Sequence, residues 1–260
     1  ASLYINDEWQ AGGLFLNFGV RLDYNIFGGS PIDNPDVSSF SFQDANGEAE
    51  TYSTSVLPDN HIIISPRMGF DWALPGVDNI VMRGGAGIFS GFPSMIRIGD
   101  QFLNNGVLQG ELNARNNQDN QYPFSPDVNA YVPEDRTAPL AYDLNFVAKD
   151  YKAPTLFRGN IGIDYYLKKK LRLSFDVTYG KDINTDHVRN ANIQHLNPDV
   201  AGDGRQVFES SSLNEPTVLA AYVLDNSSGG KQLFYSIQLK RIMMKNGLVP
   251  CHTPLAKQRI

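Results

Sequence analysis

LFLNFGVRLDYNIF, residues 14–27, alternates apolar and polar side chains with hardly a break. In an extended chain, successive side chains leave on opposite faces. Leu14, Leu16, Phe18, Val20, Leu22 and Tyr24 therefore share one face, and Asn17, Gly19, Arg21, Asp23 and Asn25 share the other. The segment reads as a strand with one dry face, and the fold depends on what covers that face.

The same pattern recurs along the chain. Residues 2–9 carry Leu3, Ile5 and Trp9 on one side and join the 14–27 strand through the turn QAGG, as a hairpin. In HIIISPRMGFDWAL, residues 61–74, Ile62, Ile64, Met68, Phe70, Trp72 and Leu74 oppose Ser65, Arg67, Gly69 and Asp71. NIVMRGGAGIFSGF follows at 79–92, with Arg83 on the face of Gly85 and Gly87. LFRGNIGIDYYLKKKLRLSFDVTYGK, residues 156–181, makes two strands joined at Lys168 and Lys169. Its polar side holds Arg158, Asn160, Asp164, Arg172, Ser174 and Asp176. KQLFYSIQLKRIM, residues 231–243, is a seventh strand, and no segment shows a sustained 3.6-residue period.

The connections decide the architecture. Those at 10–13, 75–78 and 168–169 are tight, those at 28–60, 91–155 and 182–230 are long, and the two kinds alternate. All tight turns then lie at one end. In a compact soluble domain, loops beyond about 12–15 residues are uncommon. Tilted antiparallel strands of about 9–11 residues, with short turns at one end, long loops at the other and an apolar outer face, are the layout of a transmembrane β-barrel. The expected fold class is thus all-β, an antiparallel up-and-down meander of about seven strands forming part of a barrel. Trp9, Phe27, Trp72, Phe89, Phe157 and Tyr179, toward strand ends, suit interfacial aromatic girdles. Arg21, Asp23, Arg67, Asp71, Arg83, Arg158, Asp164, Arg172 and Asp176 are the expected lumen-facing set. The competing layout is a soluble sandwich, with the dry face packed on a second sheet.

Composition narrows the function. The net charge of −6 in 260 residues, with no basic stripe, argues against nucleic acid as a partner. One cysteine, Cys251, permits neither an internal disulfide nor a cysteine metal site. The longest apolar run, VLAAYVL at 218–224, falls far short of the roughly 18 residues of a membrane helix. The opening residues, ASLYINDEW, are already strand-like, as in a mature or truncated chain with no signal peptide to read. Loop 28–60 carries Asp33, Asp36, Asp44, Glu48, Glu50 and Asp59 with no Lys or Arg, whereas the polar strand faces carry Arg21, Arg67, Arg83, Arg158, Arg172 and Lys240.

SLYINDEW, LFLNFGVRLDY, SPRMGFDW with its PG turn, VMRGGAGIFSGFP, FRGNIGIDYYL, RNANIQHLNP and GGKQLFYSIQLKR with KNG resemble, in order and spacing, barrel strands of TonB-dependent outer-membrane receptors. The resemblance covers residues 2–248 and is strongest to the type with an N-terminal carboxypeptidase-regulatory-like domain. It implies a Gram-negative outer-membrane location, lipid as one partner, and uptake of a large or scarce solute driven by the TonB energy-coupling system through a plug. Barrels of that family have about 22 strands around a plugged lumen. Seven strands without a plug or an energy-coupling box are therefore expected to be an inactive barrel fragment. The alternatives are a soluble secreted all-β binding module, such as a carbohydrate-binding sandwich, and a passive porin or adhesin barrel.

Several motifs carry no chemistry. GAGIFSG at 85–91 lacks the spacing and following helix of a phosphate loop. His61, His187, His195 and His252 are scattered without metal-ligand spacing, no Ser-His-Asp arrangement is apparent, and no enzyme activity or resident cofactor is expected. DVAGDGR at 199–205 has too few ligands for an EF-hand loop and reads as a turn, leaving Ca²⁺ in the acidic outer loops as an open question. NPD at Asn34 and Asn197 is turn chemistry, and NSS at Asn226 has no expected role.

The resemblance assigns residues 1–248 to the partial barrel and implies a strand of the type SLSYTFSKAKD after KNGL. Residues 249–260 read VPCHTPLAKQRI instead. One codon choice for HTPLAKQRI, CATACACCTTTAGCAAAGCAAAGGATA, read from its third base encodes Tyr-Thr-Phe-Ser-Lys-Ala-Lys-Asp. The tail is therefore expected to be a frameshifted, non-native segment. Sequencing the gene across Leu248 should reveal an alternating strand in a second frame, and the idea fails if neither other frame encodes one.

Overall fold

The computed structural model describes residues 1–110, 123–132, 142–167, 171–195, 208–241 and 255–259. In chain order the strands are β1 (Ser2–Ala11), β2 (Leu14–Asn25), β3 (Phe42–Gln43), β4 (Ala49–Glu50), β5 (His61–Ala73), β6 (Ile80–Ser90), β7 (Tyr142–Val147), β8 (Thr155–Leu167), β9 (Leu171–Asn190), β10 (Ile193–His195), β11 (Phe208–Leu213), β12 (Val218–Ser227), β13 (Lys231–Arg241) and β14 (Leu255–Arg259). One helix, α1, spans Met95–Leu103. β1, β2, β5, β6, β8, β9 and β13 form the expected seven-strand antiparallel meander, each beside its neighbour in the chain's order.

Turn chemistry sets the first hairpin. Ala11 pairs with Leu14 across Gly12-Gly13, and Gly12 adopts φ +58°, the left-handed conformation that two-residue hairpin loops demand. Gly76, at φ +76°, serves the PG turn between β5 and β6. Directly opposed residues lie on one face, so the register sorts the sheet cleanly. Leu22, Ile64, Met82, Ile163, Phe175 and Ile237 fall on the apolar face, and Arg21, Arg67, Arg83, Asp164 and Asp176 on the polar one. Among the described residues no second sheet covers the apolar face, where Leu3, Ile5 and Ile62 are 65%, 71% and 64% exposed. That removes the sandwich.

The third long loop is shorter than the sequence suggests. β9 does not stop at Lys181 but runs for 20 residues to Asn190, about twice a membrane-spanning strand. Its first half pairs with β13 and its second half, from Thr185 to Asn190, with β12. β12 and β13 thus form one long return strand interrupted at Ser228–Gly230. The extension was illegible because Asp182, Asn184, Asp186, His187, Arg189 and Asn190 leave it polar on both sides. β14 pairs antiparallel with β13, Leu255 opposite Ile237 and Arg259 opposite Leu233; residues 249–254 lie outside the described set.

The loops also hold the hydrophobic core. Among the described residues, the buried apolar side chains other than Ile63 lie in the loop regions rather than in the seven-strand sheet. Val37, Phe42, Leu144, Phe146, Ala191, Val218, Ala221 and Val223 make one cluster, and Ile98, Val147, Tyr151 and Leu224 a second. β7, from the second long loop, pairs in parallel with β12, an exception to the antiparallel meander. α1, nine residues and so too short to show a sustained period, buries Ile98 and Gln101 one turn apart. The loops therefore make a packed cap at one end of the sheet.

Phe146 lies 5.1 Å from Tyr52 and 5.8 Å from Phe42, ring to ring. Phe146→Ala should cost about 3–5 kcal/mol of cap stability. The expected outcome in the intact protein is faster proteolysis between residues 40 and 56 with no loss of the sheet's strand signal in circular dichroism.

Candidate functional site

The polar face is an ordered ion network. Arg83 reaches from β6 to Asp164 on β8 (Nε to Oδ2, 3.2 Å) and to Asp176 on β9 (Nη2 to Oδ1, 2.7 Å), and Arg172 Nη1 stands 3.9 Å from Asp164 Oδ2. Gly162 lies opposite both Arg83 and Asp176 in the ladders. A Cβ there would come within 2.4 Å of Asp176 Oδ1, so the glycine opens the space in which the pair meets. Nearer the cap, Arg21 Nε donates to Asp23 Oδ2 at 2.8 Å, and its Nη2 donates to Ser2 Oγ at 3.2 Å.

The remaining three expected residues behave differently. Asp71 is level with Arg83, yet Arg83 turns away toward β8 and β9. Arg67 lays its guanidinium over the Phe89 ring, 4.6 Å from the centroid, and its Nε–H is buried without an acceptor. Arg158 makes no ion pair among the described residues. Both arginines border a trough of about 750 Å³ on this face, with Gly19, Gly69 and Gly85 in its floor and Asn17 and Asn160 on its sides.

At the cap, side chains fasten the loops to β9. Arg189, whose side chain is 13% exposed, donates through Nη1 to the Gln43 carbonyl and through Nη2 to the Tyr52 hydroxyl, with Glu50 at 3.9 Å. Tyr52 in turn donates to Glu50 Oε2 at 2.5 Å. Gln101 on α1 donates to the carbonyls of Thr54 and Val56 at 2.8 and 2.6 Å, tying the second loop to the first. Tyr151 donates to Asp186 Oδ1 at 2.7 Å and accepts from the Ser94 N–H at 3.2 Å. Burial pushes its phenol well above the ordinary tyrosine value. Asn34 behaves as the turn residue expected, its Oδ1 accepting from the Asp36 N–H, and its Nδ2 also reaches the Asn105 carbonyl. A pocket of about 350 Å³ opens between Tyr52, Phe146, Lys149, Arg189 and Asp225. Sequence reading missed this cluster because its members lie far apart in the chain, and only the RNANIQ stretch carried any signal.

Among the described residues no three His, Cys, Asp or Glu side chains gather as metal ligands. His61 stacks on Phe27 with centroids 6.1 Å apart. Asn197, residues 199–205 and His252 lie outside the described residues.

Residues 1–246 match the family model described as outer membrane beta barrel domain. The chain belongs to this family. It is a stretch of outer-membrane barrel. The fold is similar to that of a variant of the ferric enterobactin receptor PfeA from Pseudomonas aeruginosa, at 12% identity and TM-score 0.50, covering 99% of this chain and 26% of that one. The siderophore receptor PirA from Pseudomonas aeruginosa aligns at 12% identity and TM-score 0.43, over 99% of this chain and 34% of that one. The FrpB iron transporter from Neisseria meningitidis aligns at 14% identity and TM-score 0.44, over 99% and 26%. This barrel domain thus spans about a quarter to a third of the length of those receptors. No curated protein matches its sequence.

Burial first, and then the bond to Glu50, push the Tyr52 phenol up to about 12, against the opposing pull of Arg189. Unfolded tyrosine ionises near pH 10. The folded state holds its proton longer, so this contribution to cap stability is fully present below pH 10 and is lost as pH rises toward about 12. Cap stability measured across that window should fall more steeply in the wild type than in Tyr52→Phe.

Proposed function

We propose that this chain is part of the barrel wall of a TonB-dependent outer-membrane transporter that takes up a large or scarce solute. The observation carrying this reading is the one-ended architecture: a meander with an apolar face throughout, tight turns at one end and a packed three-loop cap at the other. In such a barrel the apolar face meets lipid, and the polar face with Arg21, Asp23, Arg67, Asp71, Arg83, Arg158, Asp164, Arg172 and Asp176 lines a lumen closed by a plug. The cap then stands outside the cell, where its pocket first meets solute. The TonB system would act through the plug, which these residues do not include.

The seven strands by themselves form an open sheet, and each backbone group left unpaired at its edges in hydrocarbon costs several kcal/mol. Expressed alone, the stretch should neither insert nor transport.

The orientation is tested by neighbouring substitutions on β13 in the intact parent protein. Ile237, on the apolar face and 50% exposed, pairs with Phe175, while Ser236, on the polar face, pairs with Asp176. An arginine on the lipid face costs about 2–4 kcal/mol near the membrane midplane. Ile237→Arg should therefore abolish the folded, heat-modifiable species on an unheated gel, whereas Ser236→Arg should leave it intact. Equal effects, or the reverse order, would overturn the assignment. A heat-insensitive parent protein that is freely soluble without detergent would overturn the barrel reading altogether.

A further inference from the structure

The trough on the polar face has an unbalanced charge. Arg21, Arg83 and Arg172 each stand within 4 Å of a carboxylate, while Arg67 and Arg158 do not. The register puts these two in a single row: Arg67 opposite Gly87, and Gly87 opposite Arg158. Neighbouring strands are about 4.8 Å apart, so the two backbones are separated by about 10 Å with a glycine between them. Two arginines rooted in one row, neither within 4 Å of a carboxylate and one with a buried Nε–H lacking an acceptor, offer donors that an anion would satisfy.

Gly87 lies between them, and its missing side chain makes room for the Arg67 stem, since a Cβ there would stand 3.0 Å from both Arg67 Cγ and the Pro66 carbonyl. One row further toward the tight turns run Asn17, Gly69, Gly85 and Asn160. The Asn17 and Asn160 amides can pair with the N–H and C=O groups of an extended backbone. Planar arginine pairs favour carboxylates held bidentately.

Resting on the reading of this face as a lumen wall, we infer that the Arg67–Gly87–Arg158 row is the docking site for an acidic segment of the plug. One Asp or Glu of that segment bridges the two guanidiniums, and the segment's backbone lies along Asn17 and Asn160. Arg67 is the seventh of the 13 residues of β5, midway along the strand, a depth that suits the plug rather than the cap loops.

The test is hydrogen–deuterium exchange of the plug in the intact receptor, comparing wild type with the Arg67→Gln/Arg158→Gln pair and with the charge-preserving Arg67→Lys/Arg158→Lys pair. Docking predicts a plug segment whose amides exchange at least 10-fold faster in the glutamine pair, with partial recovery in the lysine pair and unchanged heat-modifiability. The protected segment should contain an Asp or Glu. Unchanged plug exchange in a folded glutamine pair overturns the inference. So does saturable binding of citrate to the intact receptor that the glutamine pair loses while plug exchange stays the same, since the arginines then serve a soluble anion. If the glutamine pair fails to assemble, the lysine pair decides: plug exchange equal to wild type together with citrate binding equal to wild type requires that replacing the segment's acidic residue by Ala or Gln reproduce the 10-fold loss, and failure to do so overturns the docking. Failure of the lumen reading itself is recognised separately, by the Ile237 and Ser236 substitutions.

Discussion

A backbone amide in hydrocarbon has no water to bond, so a chain that crosses a membrane in strands must satisfy every N–H and C=O from a neighbouring strand. Most other features of this molecule follow from that constraint. The ladders between β1, β2, β5, β6, β8, β9 and β13 are long and nearly regular, with a register shift near Thr155 at the cap end of β8. With the backbone settled, side chains on the outer face need only be apolar, and they pack against no core. Leu3, Ile5, Ile62 and Ile64 would be a severe aggregation hazard in a soluble domain, yet each is suited to lipid.

The opposite face solves another problem, that of carrying charge on a wall enclosed by low dielectric. Ionised groups there are tolerated when they are paired and hydrogen-bonded. Arg83 is shared between two aspartates on the next two strands, and Gly162 supplies the room for it. The same device recurs where Arg67 flanks Gly87 and where Asn17 lies over Gly69, whose Cβ would stand 2.6 Å from Asn17 Oδ1. Side chains lie flat across glycines of adjacent strands, and the wall stays low.

How much of this is legible in the sequence depends on the range of the forces involved. The seven strands can be read because a period of two is local, and residues 14–27 alone display it. The ion network is legible as a list of residues on one face but not as pairs, since the choice of Asp164 and Asp176 over Asp71 for Arg83 is made by side-chain reach rather than by spacing. The cap is legible as three long loops and a turn at Asn34, but its packing is not. Arg189 meets Gln43 and Tyr52 across 146 and 137 positions, and Asn34 meets Asn105 across 71. Its buried side chains, such as Phe42, Leu144 and Val223, come from three loops that meet only in the folded chain, and even the apolar run at 218–224 does not name its partners.

Cap and wall are nevertheless one mechanical piece along β9. Asp176, in the ion network, and Arg189, in the cap, lie 13 residues apart on the same paired strand, a span of about 43 Å at the usual rise. The strand is braced first by β13 and then by β12, so the third hairpin cannot swing away from the wall without breaking a ladder. The first and second loops have no such backing. They hold to β9 and β12 through side-chain bonds from Arg189, Tyr151 and Asn226, through β7, and through the packing of Val37, Phe42 and Phe146 against Val218 and Val223. The third hairpin is therefore the fixed post of the cap, and the first and second loops are fastened to it. The interruption at Ser228–Gly230, where the Asp182 N–H still bonds the Gly230 carbonyl at 2.9 Å, marks the level at which post and wall join.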